Sequence, residues 1–128
     1  MQLYSTRTQE KEQVHLDRQI GIYCCGITPY DTTHLGHAFT FLHVDVLARL
    51  LRRLGAKVTY VQNLTDVDDD LLKKARELGT GYKELAFSQT ERFLADLHAI
   101  NISEPDRYVQ ATDHIPEMVA LIRSLLDA

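Results

Sequence analysis

Two histidines three positions apart, His34 and His37, with Gly36 between them, are the residues of this sequence best suited to chemistry on a phosphate. They follow an apolar run (20–25) and a turn, so they are predicted to open a helix. A helix N-terminus favours negative charge, and a glycine there lets a ligand approach the backbone. Residues three apart share a helix face, so both rings could donate to phosphate oxygens during phosphoryl or adenylyl transfer.

The elements that must hold this pair are predicted to be those of an α/β fold. The apolar run 20–25 predicts a buried strand, a leucine stripe predicts a helix over 33–54, and the β-branched run 58–62 predicts a second strand. Strand, helix and strand make a right-handed crossover with a parallel pair, and ligands bind beyond the carboxyl ends of such strands. We therefore expect site residues after both strands, beside Cys25 and in the segment 63–70.

The remaining segments predict a hairpin over 3–17, a helix that ends at about Leu78 before Gly79, a helix over about 82–100, and an extended stretch over 103–110. A last helix is predicted to start at 112 or 113, because Pro116 is tolerated in a first turn. Four apolar residues of that helix are expected to face inward: Ile115, Met118, Val119 and Ile122. Two or three parallel strands make a thin core, so the chain is expected to be part of something larger.

The composition excludes several classes of protein. The 128 residues suit one domain, and the net charge of −4 argues against a dedicated nucleic-acid-binding module. No apolar run approaches the roughly 20 residues of a membrane span, and no signal-peptide core is present. The only two cysteines, Cys24 and Cys25, are adjacent and do not form the disulfide framework of a secreted scaffold. These features predict a cytoplasmic protein without a membrane partner.

Two metal sites are alternatives to a phosphate site. His43 could share an ion with the two histidines, although no carboxylate stands at the spacing of a zinc-protease helix. Asp66, Asp68 and Asp70 resemble the start of a calcium loop, but Leu71 stands where that loop needs glycine. Helix N-capping and first-turn charge explain these acids better.

The motifs together resemble the cysteinyl-tRNA synthetase family and its close relative, the cysteine ligase of mycothiol biosynthesis. The segment 34–37, His-Leu-Gly-His, is similar to the class I aminoacyl-tRNA synthetase signature His-Ile-Gly-His. The segments 23–31, 60–69 and 111–115 are similar to family motifs before and after it. Pro29 and Gln62 lean towards the mycothiol-pathway ligases, whereas Cys24 replaces a valine that is usual in the family.

This resemblance implies a chemistry and a set of site residues. The family activates cysteine with ATP and magnesium to give cysteinyl-adenylate, and a zinc ion binds the substrate thiol as thiolate. Cys25 matches the first zinc ligand and Thr65 the threonine near the amino acid. The residues that match the ATP-binding signature, with the two histidines as catalytic groups, are Thr33, His34, Gly36 and His37. Tyr30 is a further candidate for the substrate pocket.

The resemblance also implies that 1–128 is a single partial catalytic domain, the first half of a Rossmann-like (HUP-type) nucleotide-binding fold. The other zinc ligands, the signature loop Lys-Met-Ser-Lys-Ser and an anticodon-binding domain are not in this sequence. The main expected acceptor is tRNA(Cys), and the alternative is the amino sugar–inositol of mycothiol biosynthesis. A further alternative is a non-catalytic docking module that self-associates or needs a complementing second half.

Overall fold

The predicted crossover of strand, helix and strand is present, and a third parallel strand extends it. The computed structural model describes residues 1–16, 19–31 and 33–128. In chain order the elements are β1 (Gln2–Ser5), β2 (Glu10–Gln13), β3 (Gln19–Cys24), α1 (Leu35–Arg53), β4 (Lys57–Leu64), α2 (Asp69–Leu78), α3 (Tyr82–Ala99), β5 (Arg107–Gln110) and α4 (Ile115–Leu126), with a 3-10 turn at Thr112–His114 before α4. The predicted α/β class is therefore confirmed.

The main sheet has the strand order β3-β4-β5, and both pairs are parallel. The register of the first pair runs from Gln19 opposite Lys57 to Cys24 opposite Gln62. The second pair begins with Val61 opposite Arg107. All three strands consequently end at the same edge of the sheet, where a ligand of an open α/β fold would bind.

One face of this sheet is covered by α1 and α3. Phe41 of α1 and Phe93 of α3 meet edge to face, with ring centroids 5.2 Å apart. Both rings belong to the main hydrophobic core together with Tyr60 and Leu64 of β4. On the opposite face Tyr23 is 68% exposed. The helices therefore fix the sheet from one side and bring the start of α1 to the end of β3.

The helix α2 packs on α3 through a separate small core of Leu71, Ala75, Leu85 and Ala86. Asp68 is its N-cap, and its side chain accepts from the N–H of Leu71 at 2.7 Å. The capping role predicted for these acids is thus confirmed for Asp68, as an N-cap carboxylate satisfies an unpaired N–H group.

Two elements at the ends of the chain lie apart from this core. The predicted N-terminal hairpin is confirmed as an antiparallel two-stranded sheet of β1 and β2. All twelve residues of α4 are exposed, and this helix packs chiefly on the preceding 3-10 turn. The inward orientation predicted for its apolar residues is wrong, because no described element covers that face: Ile115, Met118, Val119 and Ile122 are 41–55% exposed.

The predicted end of the hairpin at Asp17 lies outside the described residues. In the part of the chain that the structure describes, no helix combines the length and apolar character needed to cross a bilayer.

Candidate functional site

A cavity of about 430 Å³ lies at the carboxyl end of β3 and is named here the histidine crevice. Its walls come from the turn after β3 and from the start of α1: Cys25, Gly26, Ile27, Thr28, Tyr30, Asp31, His34, His37, Thr40 and Phe41. The structure thus brings together four of the predicted site residues, a thiol, a phenol and two imidazoles. Thr33, Gly36 and Thr65 are not among its lining residues.

The two histidines form the N-terminal cap of α1. His34 is the N-cap residue, so α1 begins at Leu35 rather than at 33. Nδ1 of His34 accepts from the N–H of Gly36 at 3.1 Å, and the N–H of His34 points to Nδ1 of His37 at 3.4 Å. The two rings stack with centroids 3.9 Å apart. Each histidine therefore satisfies a backbone donor that would otherwise lack a partner at a helix start.

This capping determines which ring nitrogen of each histidine is left as a donor. A neutral imidazole has one N–H and one acceptor nitrogen, and Nδ1 is the acceptor in both His34 and His37. The proton therefore belongs on Nε2. Partial burial, and then the electrostatic influence of the neighbouring His34 ring, lowers the pKa of His37 below its usual value. His37 is consequently neutral at pH 7 and has one N–H group to donate.

The histidine cap also needs a small residue at position 36, and the predicted role of Gly36 in binding ATP stays a prediction. A Cβ at this position would lie 2.9 Å from two ring atoms of His34. The glycine thus leaves room for the capping ring. The backbone N–H of Gly36 bonds to that ring, and the N–H of His37 bonds to the carbonyl of His34 at 2.9 Å. A phosphate at this helix end would therefore meet imidazole N–H groups rather than these two backbone donors.

The two adjacent thiols differ in their surroundings. Cys24 is buried and its Sγ donates to the carbonyl of Cys25 at 3.4 Å, whereas Cys25 is exposed. Burial raises the pKa of the Cys24 thiol, against an opposing hydrogen bond with Tyr60. Cys24 is thus a neutral core residue, and Cys25 is the thiol that a ligand could reach.

The donor set does not fit a zinc site by itself. A protein zinc site uses three or four Cys, His, Asp or Glu ligands. Among the described residues no group of three or more such side chains could hold one ion. Cys25 is the single zinc ligand that the resemblance implied here, and any others would have to come from outside the described residues.

Thr65 lies behind the histidine crevice, at the end of β4. Its N–H donates to the carbonyl of Ile27 at 3.0 Å, and its hydroxyl accepts from Nδ2 of Asn63 at 3.3 Å. Oδ1 of the same Asn63 accepts from the N–H of Gly26 at 2.8 Å. Asn63 belongs to the segment 63–70 in which site residues were expected, but the sequence assigned it no role of its own, and it lies near the end of β4, within that strand.

Thr40 was also missed as a lining residue of the histidine crevice. It stands three positions after His37 on α1, a spacing that places both on one face, and its hydroxyl donates to the carbonyl of Gly36 at 3.1 Å. This helical spacing was the signal that could have identified it.

A second cavity of about 390 Å³, named here the aspartate crevice, lies between α3 and the ends of β4 and β5. At its edge the carboxylate of Asp66 accepts from both the N–H (3.0 Å) and the hydroxyl of Thr112. Asp66 therefore ties the end of β4 to the 3-10 turn, and the role predicted for it at the start of α2 is wrong. The opposite wall includes Lys83, Phe87 and Glu91 of α3.

The chain is similar to a known family and to solved structures. The sequence model described as tRNA synthetases class I (C) catalytic domain matches residues 11–128. The chain belongs to this family. The fold is similar to that of Mycobacterium tuberculosis methionyl-tRNA synthetase bound by methionyl-adenylate, with a TM-score of 0.68 and 24% identity over 74% of this chain and 19% of that chain. A further structure of that synthetase gives 0.66 and 26% identity over 73% and 19%.

The chain is also similar to proteins named L-cysteine:1D-myo-inositol 2-amino-2-deoxy-alpha-D-glucopyranoside ligase. This chain is 42% identical to the one from Tsukamurella paurometabola over 127 residues, which cover 99% of this chain and 31% of that protein. It is 49% identical to the one from Kocuria rhizophila over 111 residues, covering 87% and 25%. The chain spans a third or less of these relatives.

Proposed function

We propose that this chain is the ATP-binding part of a cysteine ligase, which activates cysteine as its adenylate for transfer to an amino sugar–inositol. The observation that carries the proposal is the histidine crevice, where the exposed Cys25 thiol shares one cavity with His34 and His37. A thiol beside two outward imidazole donors suits a ligand with a cysteine at one end and phosphates at the other. Two relatives 42% and 49% identical bear the name of such a ligase, which supports this acceptor over tRNA.

In the proposed reaction a carboxylate oxygen of cysteine forms a bond to the α-phosphorus of ATP. The bond from that phosphorus to the oxygen bridging towards the β-phosphate breaks, which gives cysteinyl-adenylate and pyrophosphate. The Nε2–H groups of His34 and His37 would donate to phosphate oxygens, where negative charge grows in the transition state. The amine of the acceptor then attacks the cysteinyl carbonyl carbon, loses a proton and displaces AMP.

The lowered pKa of His37 suits this role, because a neutral ring donates from Nε2 while its Nδ1 still accepts from the backbone N–H of His34. A protonated ring would lose that acceptor. The rings are thus held by the helix that they cap, and little reorientation is needed when a phosphate binds. Magnesium would accompany the phosphates of ATP. Because the described residues do not form a zinc site, no step is assigned to zinc.

The second candidate is a cysteinyl-tRNA synthetase. The family model that matches the chain is one of tRNA synthetases, and both structural neighbours are methionyl-tRNA synthetases. Against a tRNA contact within these residues stands the net charge of −4.

A third candidate is a docking module that needs a second half, and the exposed apolar face of α4 supports it. We also propose a cytoplasmic location, which the free thiols Cys24 and Cys25 support.

The proposal is tested by nuclear magnetic resonance titration of the folded chain with ATP and then with a non-hydrolysable sulfamoyl analogue of cysteinyl-adenylate. We expect millimolar ATP to shift the signals of His34, Gly36 and His37, and the analogue to shift Cys25 and Gly26 as well. A seryl analogue is the control for the thiol. A folded sample whose spectrum is unchanged by millimolar ATP would exclude the proposal.

The acceptor is tested in the same spectra with the analogue present. Glucosaminyl-inositol and an acceptor-stem RNA hairpin are added separately, each at the same concentration. Shifts with the amino sugar alone support the leading candidate, and shifts with the RNA alone support the synthetase. Cysteine-dependent exchange of pyrophosphate into ATP by this chain would show that it activates cysteine unaided.

A further inference from the structure

Asn63 stands where the backbone pairing between β3 and β4 is interrupted. The ladder of β4 with β3 ends at Gln62. Directly beyond it, the N–H of Gly26 donates to the side-chain Oδ1 of Asn63 at 2.8 Å. Backbone bonding then resumes from the N–H of Thr65 to the carbonyl of Ile27 at 3.0 Å. The side-chain amide of Asn63 thus bridges the gap in the ladder. The turn that carries Cys25 begins at this gap.

Both ends of this amide are engaged. Oδ1 accepts from Gly26 and also from the hydroxyl of Tyr23 at 3.0 Å, while Nδ2 donates to the hydroxyl of Thr65 at 3.3 Å. A flipped amide would turn its NH₂ group towards the N–H of Gly26, and two donors would then oppose each other. The contacts therefore fix one orientation, with the oxygen towards β3 and the nitrogen towards Thr65.

The close approach of the two backbones explains why the contact is made here. A Cβ on Gly26 would lie 1.6 Å from the carbonyl oxygen of Asn63, so only glycine fits against this strand end. The turn that carries Cys25 is therefore pressed against the end of β4. Its remaining freedom is limited by the bond from Gly26 to the amide of Asn63.

We propose that Asn63 is a positioning residue that holds the turn bearing Cys25 in register with Thr65, and so shapes the amino-acid end of the site. The inference rests on the proposed function, because Cys25 and Thr65 act as a pair only if the site takes an amino acid. Asn63 acts through the N–H of Gly26 and the hydroxyl of Thr65. The phosphate end, at the cap of α1, does not depend on it.

The test compares three variants of the 128-residue chain. Asn63→Ala removes all three hydrogen bonds of the amide. Asn63→Asp is close in shape and still accepts from Gly26 and Tyr23, but it cannot donate to Thr65 when ionised. Leu51→Val is the stability control, since Leu51 is buried in α1 and does not line the histidine crevice. Circular dichroism selects the temperature at which all variants are folded.

Two measurements follow. Without ligand, we expect hydrogen exchange of the Gly26 amide to become about tenfold faster in Asn63→Ala, to be restored in Asn63→Asp, and to be unchanged in Leu51→Val. With ligand, the affinity for the sulfamoyl analogue of cysteinyl-adenylate should fall about tenfold in Asn63→Ala, while the affinity for ATP alone changes less than about twofold.

The inference is overturned if two results are found together in Asn63→Ala: the Gly26 amide exchanges at the same rate as in the unmodified chain, and the analogue binds with the same affinity. The inference is also overturned if ATP and the analogue are weakened equally, because the effect would then be general destabilisation. If the unmodified chain binds neither ligand, the proposed function fails. The Gly26 exchange then still decides whether Asn63 holds the turn.

Discussion

The histidine crevice and the aspartate crevice have similar volumes, about 430 and 390 Å³, and both lie at the carboxyl edge of the sheet. They differ in how their polar groups are engaged. In the first, Nδ1 of His34 and His37 faces the backbone and Nε2 remains as a donor. In the second, the Asp66 carboxylate is bound to Thr112 through both oxygens. Cavities thus form at this edge of the sheet whether or not their polar groups are available to a ligand. A candidate site is distinguished from a structural contact by side-chain donors or acceptors that are not already bound within the protein.

The largest expected effect on stability is at Gly26, which lines the histidine crevice. Gly26→Ala should lower the free energy of unfolding by about 2–4 kcal/mol, because the new Cβ would meet the backbone of Asn63 and the turn must move. Gly21→Ala is the matched control on the same segment of chain, since a Cβ there meets nothing within 4 Å. Urea unfolding followed by circular dichroism measures both. A loss below about 1 kcal/mol for Gly26→Ala would contradict the close approach.

The next effect concerns the aspartate crevice. Asp66→Ala should cost about 1–3 kcal/mol of stability, because the N–H and hydroxyl of Thr112 lose their partner. Thr112→Val removes only the hydroxyl bond and should cost less. Neither variant should shift the ring signals of His34 and His37 in nuclear magnetic resonance spectra. Shifts of those signals would show that the two crevices are coupled, which would undermine the contrast between them.

A smaller effect is expected at the cap of α1. His34→Ala removes the acceptor for the N–H of Gly36 and should cost about 0.5–1 kcal/mol. His15→Ala, at an exposed position after β2, should change stability by less than about 0.5 kcal/mol. Thermal melts at pH 7.5 compare the two. Equal melting temperatures would mean that the imidazole does not cap the helix.

The smallest effect is a pH dependence carried by His37. Its pKa is lowered in the folded state, so at pH values between the folded and the unfolded pKa the unfolded chain binds more protons. The contribution of His37 to stability is therefore present above its unfolded pKa of 6.5 and is lost as the pH falls through the lower folded value. Urea unfolding at pH 7.5, 6.5 and 5.5 should show this slope, and His37→Gln should reduce it. An unchanged slope in that variant would assign the effect to other groups.

The sequence was sufficient for the fold and for the place of the site. Apolar runs and the leucine stripe predicted β3, α1 and β4, because burial against a sheet leaves a clear period in the sequence. It was insufficient for the contacts that give each polar residue its role. Gly36 was expected to admit a ligand, and nothing in the sequence indicated that the ring of His34 also needs the space beside it. Asp66 was expected to belong to α2, yet its partner is 46 positions away. Such contacts depend on the three-dimensional approach of distant segments, which local patterns do not encode.

The apolar pattern of α4 was also misleading, because helical spacing shows which residues share a face but not whether anything covers it. A helix of 12 residues without a packed face is marginal in water, since nucleation is costly and few contacts offset it. The amides of α4 should therefore exchange with deuterium at nearly the rate of a free peptide, while those of β4 exchange only through global unfolding. In this chain the protected backbone would then end near β5, before the last helix begins.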